Sequence, residues 1–191
     1  MYKKYFKRAI DFSVALLTLI FAAIPLLGVA LMVKLSSPGP VLFKQERFGL
    51  DSKPFMVYKF RSMRVGTPMM ANHDIADIRS YITPFGYFMR KTSIDELPQL
   101  LNVIKGDMSF VGPRPLAIVD KEVLDLRREM GADKVRPGIT GWAQIHGRNA
   151  ISDIKKASYD AEYARNVSLR MDFDILLQTI VKVLQSDGIF Q

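Results

Sequence analysis

From Phe12 to Val33 the chain runs for 22 residues without a charged side chain, longer than the stretch that ordinarily marks a bilayer-embedded helix. Lys3, Lys4, Lys7 and Arg8 precede the run, and Lys34, Lys44 and Arg47 follow it. Basic residues favour the cytoplasmic side, so cations at both ends give conflicting orientations unless the helix returns to the face it entered. Pro25 lies inside the run, close to Gly28, and deletes one backbone hydrogen bond where a bend would form. Two arrangements follow. One is a re-entrant helix bent near Pro25, its freed carbonyl covered by protein or by Thr18; the other is a single tilted span of about 33 Å. A secretory signal with Gly28-Val29-Ala30 as cleavage site fits less well, because the apolar run continues through Leu31, Met32 and Val33.

Beyond the turn cluster Ser36-Ser37-Pro38-Gly39-Pro40, short strands are predicted over 41–45 and 55–61 around a Phe48-Gly49-Leu50-Asp51 turn. Alternation puts Phe55, Val57, Lys59 and Arg61 on one face of the second strand. Residues 66–80 read as a surface loop leading to a short helix. Helices are predicted over 95–105, 117–130, 152–165 and 172–185. In the last, Phe173, Leu176, Leu177, Ile180, Val181 and Leu184 form a stripe that belongs to the core or to a second membrane contact. The expected fold class is α/β (α+β, helix-rich). Residues 1–35 form the membrane anchor and residues 36–191 a compact catalytic domain with a small irregular sheet and amphipathic helices.

The composition fits one folded domain: 191 residues, 49% hydrophobic and 24% charged. Without cysteine there is no disulfide, thiolate nucleophile or Cys-type zinc site, and two histidines make a His-based zinc centre a poor prospect. The net charge of +8 is unevenly placed. Residues 1–64 hold 11 basic and 3 acidic side chains, and the remainder is balanced at 16 of each. Such a field suits nucleic acid, anionic lipid or a polyphosphate substrate. Non-catalytic rivals are a basic module that binds anionic lipid or nucleic acid, and a spanning anchor that carries a partner-binding module.

Candidate chemistry begins at Ser93-Ile94-Asp95-Glu96-Leu97-Pro98-Gln99. Ser93 with Glu96 fits a capping box; Asp95 as the cap would instead place Pro98 in the first turn, where its missing amide costs nothing. The second placement sets Asp95 and Glu96 at the positive end of a helix, which favours both a carboxylate and an approaching phosphate. Adjacent acids offer one nucleophile and one metal ligand or proton carrier, and Mg²⁺ would remove the repulsion between carboxylate and phosphate. In Gly112-Pro113-Arg114-Pro115 the flanking prolines restrict the backbone around Arg114, which suits phosphate recognition. Val135 to Asn149 carries three glycines with Arg136 and Arg148. Trp142 is a base-stacking, interfacial or plain core residue, while His73 and His146 read as ordinary polar residues. No Walker or dinucleotide motif occurs.

The basic start with its interrupted apolar helix, Tyr58-Lys59-Phe60-Arg61-Ser62-Met63, Asp95-Glu96-Leu97-Pro98-Gln99-Leu100, Gly112-Pro113-Arg114-Pro115 and Arg136-Pro137-Gly138-Ile139-Thr140-Gly141 together resemble the bacterial sugar transferases, the monotopic phosphoglycosyl transferases. The resemblance covers nearly the whole chain. It implies transfer of a sugar-1-phosphate from a UDP-sugar to undecaprenyl phosphate, releasing UMP, with Mg²⁺ required. It further implies that Asp95 is the nucleophile of a ping-pong cycle, with Glu96 assisting the metal or a proton, so that both are metal ligands. Arg114 would bind phosphate, Lys59 and Arg61 would line the polyphosphate or lipid-phosphate site, Arg136 and Arg148 the nucleotide, and Asp160 would give a supporting polar contact. The same resemblance implies a monotopic protein on the cytoplasmic face of a bacterial inner membrane, among its lipids, with no nucleic acid partner and the homodimer state left open. Gly147-Arg148-Asn149-Ala150-Ile151-Ser152 resembles members acting on N-acetylated amino sugars. One departure is Ile24, where many members have serine before the proline.

Overall fold

The structure is a computed structural model describing residues 2–67, 78–147 and 151–185. A π-helical turn, Tyr2–Phe6, leads into α1, Lys7–Ser36, which continues helically through Pro25. Ser37 is extended and ends it. Strands β1 (Leu42–Phe48) and β2 (Pro54–Phe60) pair antiparallel, with Leu42 opposite Phe60 and Phe48 opposite Pro54. Then come α2 (Ile78–Tyr81), α3 (Pro84–Thr92), a 3₁₀ segment Ile94–Gln99, and α4 (Leu100–Lys105). Strand β3 (Ser109–Val111) precedes α5 (Lys121–Glu129), and β4 (Gly138–Thr140) lies parallel to β3. Helices α6 (Trp142–Ile145), α7 (Asp153–Asn166) and α8 (Leu169–Gln185) complete the described chain. The helix-rich α/β class holds, but the small sheet is two separate two-stranded pairs. The β3–β4 pair and α3 escaped the sequence pattern because three-residue strands and a helix opening Thr83-Pro84 carry little periodicity.

Three apolar clusters hold these elements together, and α1 belongs to two of them. Ala15 packs with Val57, Leu100, Val103 and Met108. Farther along, Val33 packs with Phe60 and Met89, joined by Leu26, Val29 and Ala30. Both Ala15 and Val33 are fully buried, whereas Phe21 and Ile24 between them are 81% and 83% exposed. Among the described residues α1 alone is long and apolar enough to cross a membrane. The third cluster gathers Val111, Val135, Ile145, Tyr163, Ala164 and Ile175, with half-buried Trp142 against it. The α8 stripe does not form core. Phe173, Leu177, Ile180 and Val181 face outward, and Ile175, joined by partly buried Met171, packs inward.

Polar anchors fasten the N-terminus to this frame. Lys7 pairs with Asp172 at 2.7 Å, and Tyr2 and Tyr163 donate to the same carboxylate at 2.6 and 2.7 Å. Arg8 donates to the carbonyls of Val103 and Ile104 at the end of α4, and Lys3 to that of Ala164. Asn102, fully buried on α4, acts as a surrogate strand: its Nδ2 donates to the Met56 carbonyl at 2.7 Å and its Oδ1 accepts the Tyr58 N–H at 3.1 Å. Asn102→Ala strands both backbone groups. It is expected to lower stability by about 3 kcal/mol, or roughly 6–12 °C in apparent melting temperature in detergent. A shift within about 2 °C would remove Asn102 from that role.

Candidate active site

Helix α3 is capped by Thr83, whose Oγ1 accepts the Gly86 N–H, and it ends at Ser93 in the left-handed conformation (φ 57°, ψ 17°). That reversal sends the chain into Ile94–Gln99 and folds the next residues back beside the last turn of α3. Neither capping scheme read from the sequence forms. Ser93 makes no side-chain cap, and the expected helix over 95–105 begins as a 3₁₀ segment with Pro98 inside it, turning α-helical at Leu100. Asp95 and Glu96 nevertheless occupy the first turn, as expected.

Strand β2 supplies the first counter-charge: Lys59 Nζ lies 2.6 Å from Glu96 Oε1. Arg114, half-exposed after β3, brings Nη1 to 3.6 Å from the same oxygen. Two further cations were not singled out in the sequence. Arg90, in the last turn of α3, acts electrostatically on Asp95 and Glu96, and Arg47 on β1 acts on Glu96 and lies 3.8 Å from Asp120. Cross-strand partners share a face, so Arg47 (opposite Phe55) and Lys59 (opposite Phe43) project to the same side of the hairpin. Burial pulls both arginines below the usual guanidinium range, and the charge of Arg114 adds to that pull. Four cations therefore surround two acids, and the local excess favours an anion.

Asp95 is only 8% exposed. Burial, and then the neighbouring Glu96 charge, push its carboxyl up to about 6 against the opposing pull of Lys59 and Arg90. No three or more His, Cys, Asp or Glu side chains among the described residues gather as a metal cage. The nearby cavity bounded by Phe48, Gly49, Arg114, Arg127 and Pro137 holds about 20 Å³, room for one water-sized group.

The other expected site residues fall elsewhere. Arg61 is buried, and its guanidinium donates to the Ser37 and Pro38 carbonyls and to Ser37 Oγ, closing the turn after α1. Arg136 donates through Nε to the Gly106 carbonyl, beyond α4 and roughly 18 Å along the helical segment from Asp95. A helix C-terminus attracts cations, which explains why Arg8 and Arg136 both gather there. Asp160 is fully buried against Arg127 and serves as support, with no place at an accessible substrate surface. His146 Nδ1 donates to the Trp142 carbonyl, 2.8 Å away, and Trp142 Nε1 donates to Glu162. Arg148 and His73 lie outside the described residues.

This cationic cradle for an acidic pair, beside a long apolar helix, coincides with a family match. The bacterial sugar transferase model matches residues 2–186, and the chain belongs to that family. It is 46% identical over 185 residues to the uncharacterized sugar transferase EpsL of Bacillus subtilis (strain 168), covering 97% of this chain and 90% of that one. It is 44% identical to the UDP-glucose:undecaprenyl-phosphate glucose-1-phosphate transferase of Escherichia coli (strain K12), over 92% of this chain but 39% of that protein's length. A relative of the same printed activity from Caulobacter vibrioides is 41% identical over 96% of this chain and 72% of its own length. The protein is an enzyme of the phosphoglycosyl transferase class.

The raised carboxyl of Asp95 has a consequence for stability. Its native value lies above the ordinary 3.8, so the folded state holds the proton more tightly and loses stability as pH rises from about 4 to about 6. Asp95→Asn removes that penalty. It is expected to raise stability by on the order of 2 kcal/mol at pH 7.5, with the gain vanishing near pH 4, as melting curves across that range would show. A variant less stable than wild type at pH 7.5 would contradict the burial argument.

Proposed function

We propose that the protein transfers a sugar-1-phosphate from a UDP-sugar to undecaprenyl phosphate through a covalent intermediate on Asp95. The observation that carries this reading is the buried Asp95, beside a half-buried Glu96, among four cations. Ionised above pH about 6, Asp95 is desolvated and hence reactive, and it stands where an incoming diphosphate gains most. Its oxygen would attack the sugar-bearing phosphorus; the bridging P–O bond breaks and its electron pair leaves with UMP. An oxygen of undecaprenyl phosphate would then attack the same phosphorus and free the carboxylate. Arg114, half-exposed, and Arg90 would hold the diphosphate oxygens, while Lys59 orients Glu96.

The residues present suit Mg²⁺. Two adjacent carboxylates that repel each other enough to raise Asp95 would both gain from a cation, and Mg²⁺ commonly takes one or two carboxylates, substrate phosphates and water. Asp95 and Glu96 would hold it, and bound there it neutralises charge on the phosphate oxygens.

The anchoring reading rests on α1. Because Ala15 and Val33 pack on the same domain while Phe21 and Ile24 are exposed between them, both ends of the helix stay on one side, and the middle dips into one leaflet. The outward stripe of α8 would lie in the interface of the same membrane, the bacterial inner membrane at its cytoplasmic face. The two ends of the chain are therefore expected on that one face: labels at residues 1 and 191 should both react from the cytoplasmic side, and reaction from opposite sides would establish a span.

The donor sugar is best sought with a panel of UDP-glucose, UDP-galactose and UDP-N-acetylated amino sugars. UMP release should require undecaprenyl phosphate for turnover and Mg²⁺ for any activity. Without the acceptor, intact mass should rise by one sugar phosphate. Asp95→Asn should lose at least about 10³-fold in turnover, and a variant that keeps wild-type turnover would remove Asp95 as nucleophile.

A further inference from the structure

The segment that carries Arg114 is difficult to fasten. Pro113 and Pro115 have no N–H, so the peptide unit joining Arg114 to Pro115 has a carbonyl and no donor. Apart from the Arg114 N–H, such a segment has only its carbonyls by which the backbone can be tied down. That of Pro113 accepts the Gly138 N–H at 2.9 Å, and that of Arg114 accepts Arg127 Nη1 at 2.7 Å.

Arg127 lies on α5 with its side chain 9% exposed. Its Nε and Nη2 meet Asp160 Oδ2 on α7 at 2.8 and 2.5 Å, and Asp160 is 1% exposed. A guanidinium is a rigid planar fork, so fixing one edge on a buried carboxylate fixes the direction of the remaining donor. Desolvation offsets much of the attraction in a buried ion pair, and packed apolar side chains of equal volume would serve stability as well. What apolar residues could not supply is a donor aimed at one carbonyl. The residue so held has its own guanidinium 3.6 Å from Glu96.

We infer that Arg127, seated on Asp160, is a positioning residue for Arg114: by holding the carbonyl of Arg114 it sets where that residue's guanidinium stands beside the carboxylate pair. The inference rests on Arg114 being a phosphate contact. Neither Arg127 nor Asp160 touches substrate; both act through Arg114.

A double-variant cycle on the full chain in lipid nanodiscs tests this, read by calorimetric UMP affinity, by KM and kcat for UMP release, and by melting temperature. Arg127→Met should weaken UMP binding about tenfold and raise the KM of the UDP-sugar more than it lowers kcat. Arg114→Ala should weaken it at least as much. The double variant should bind no worse than Arg114→Ala alone, within about twofold, because Arg127 has nothing left to position. Asp160→Asn keeps an acceptor and should lose about threefold, an effect that also disappears in the Arg114→Ala background. If Arg127→Met does not fold, the cycle with Asp160→Asn decides. Losses that multiply, or a lower melting temperature with unchanged UMP affinity, would show a purely structural pair and overturn the inference. Wild-type protein that binds no UMP would overturn the phosphate role of Arg114 and this inference with it, whereas UMP binding with multiplying losses overturns the inference alone.

Discussion

Two neighbouring carboxylates at one turn, one buried and one half-buried, create a demand for positive charge, and much of the surrounding structure is arranged around meeting it. Asp95 and Glu96 destabilise each other, and burial sharpens that repulsion. Lys59 from β2, Arg90 from α3, Arg114 from the proline-flanked segment and Arg47 from β1 each come from a different element. The charge requirement thus ties together pieces that apolar contacts alone would leave free to slide. It also leaves the site net positive, so that an anion completes it.

A second constraint joins this site to the long apolar helix α1. The cations at the start of the chain would be read from composition as headgroup contacts, yet Lys3, Lys7 and Arg8 are hydrogen-bonded to the domain itself. Arg8 binds the far end of α4, the helix that continues directly from the acidic turn. Ala15 packs on the same helix through Leu100 and Val103. Seating of α1 and placement of Asp95 are consequently one packing problem, and the boundary between anchor and catalytic domain drawn after residue 35 separates residues that share two apolar clusters.

Much of the site was legible because its chemistry is local. The adjacent acids, the prolines around Arg114 and the cation-bearing second strand each declare themselves within a few residues, and Asp95, Glu96, Lys59 and Arg114 do converge. Arg90 and Arg47 were missed since nothing near them in the chain marks them; they count only because Ser93 reverses α3 and because β1 shares a face with β2. Arg61 and Arg136 do not join that convergence, for the complementary reason. A motif position shows that an arginine is wanted, but not whether its guanidinium meets a ligand or a stray backbone carbonyl at a helix end or turn.

The order of residues determined on its own the long uncharged helix, the hairpin, the exclusion of thiol and Cys-based metal chemistry, and the acidic turn, because each depends on period, composition or neighbours along the chain. Tertiary structure alone decided which face of α8 points outward, that both ends of α1 rest on one domain, and which arginines surround the acids. Those outcomes depend on burial and on distances between groups far apart in sequence, and burial is what raises Asp95 and gives each nearby charge its strength.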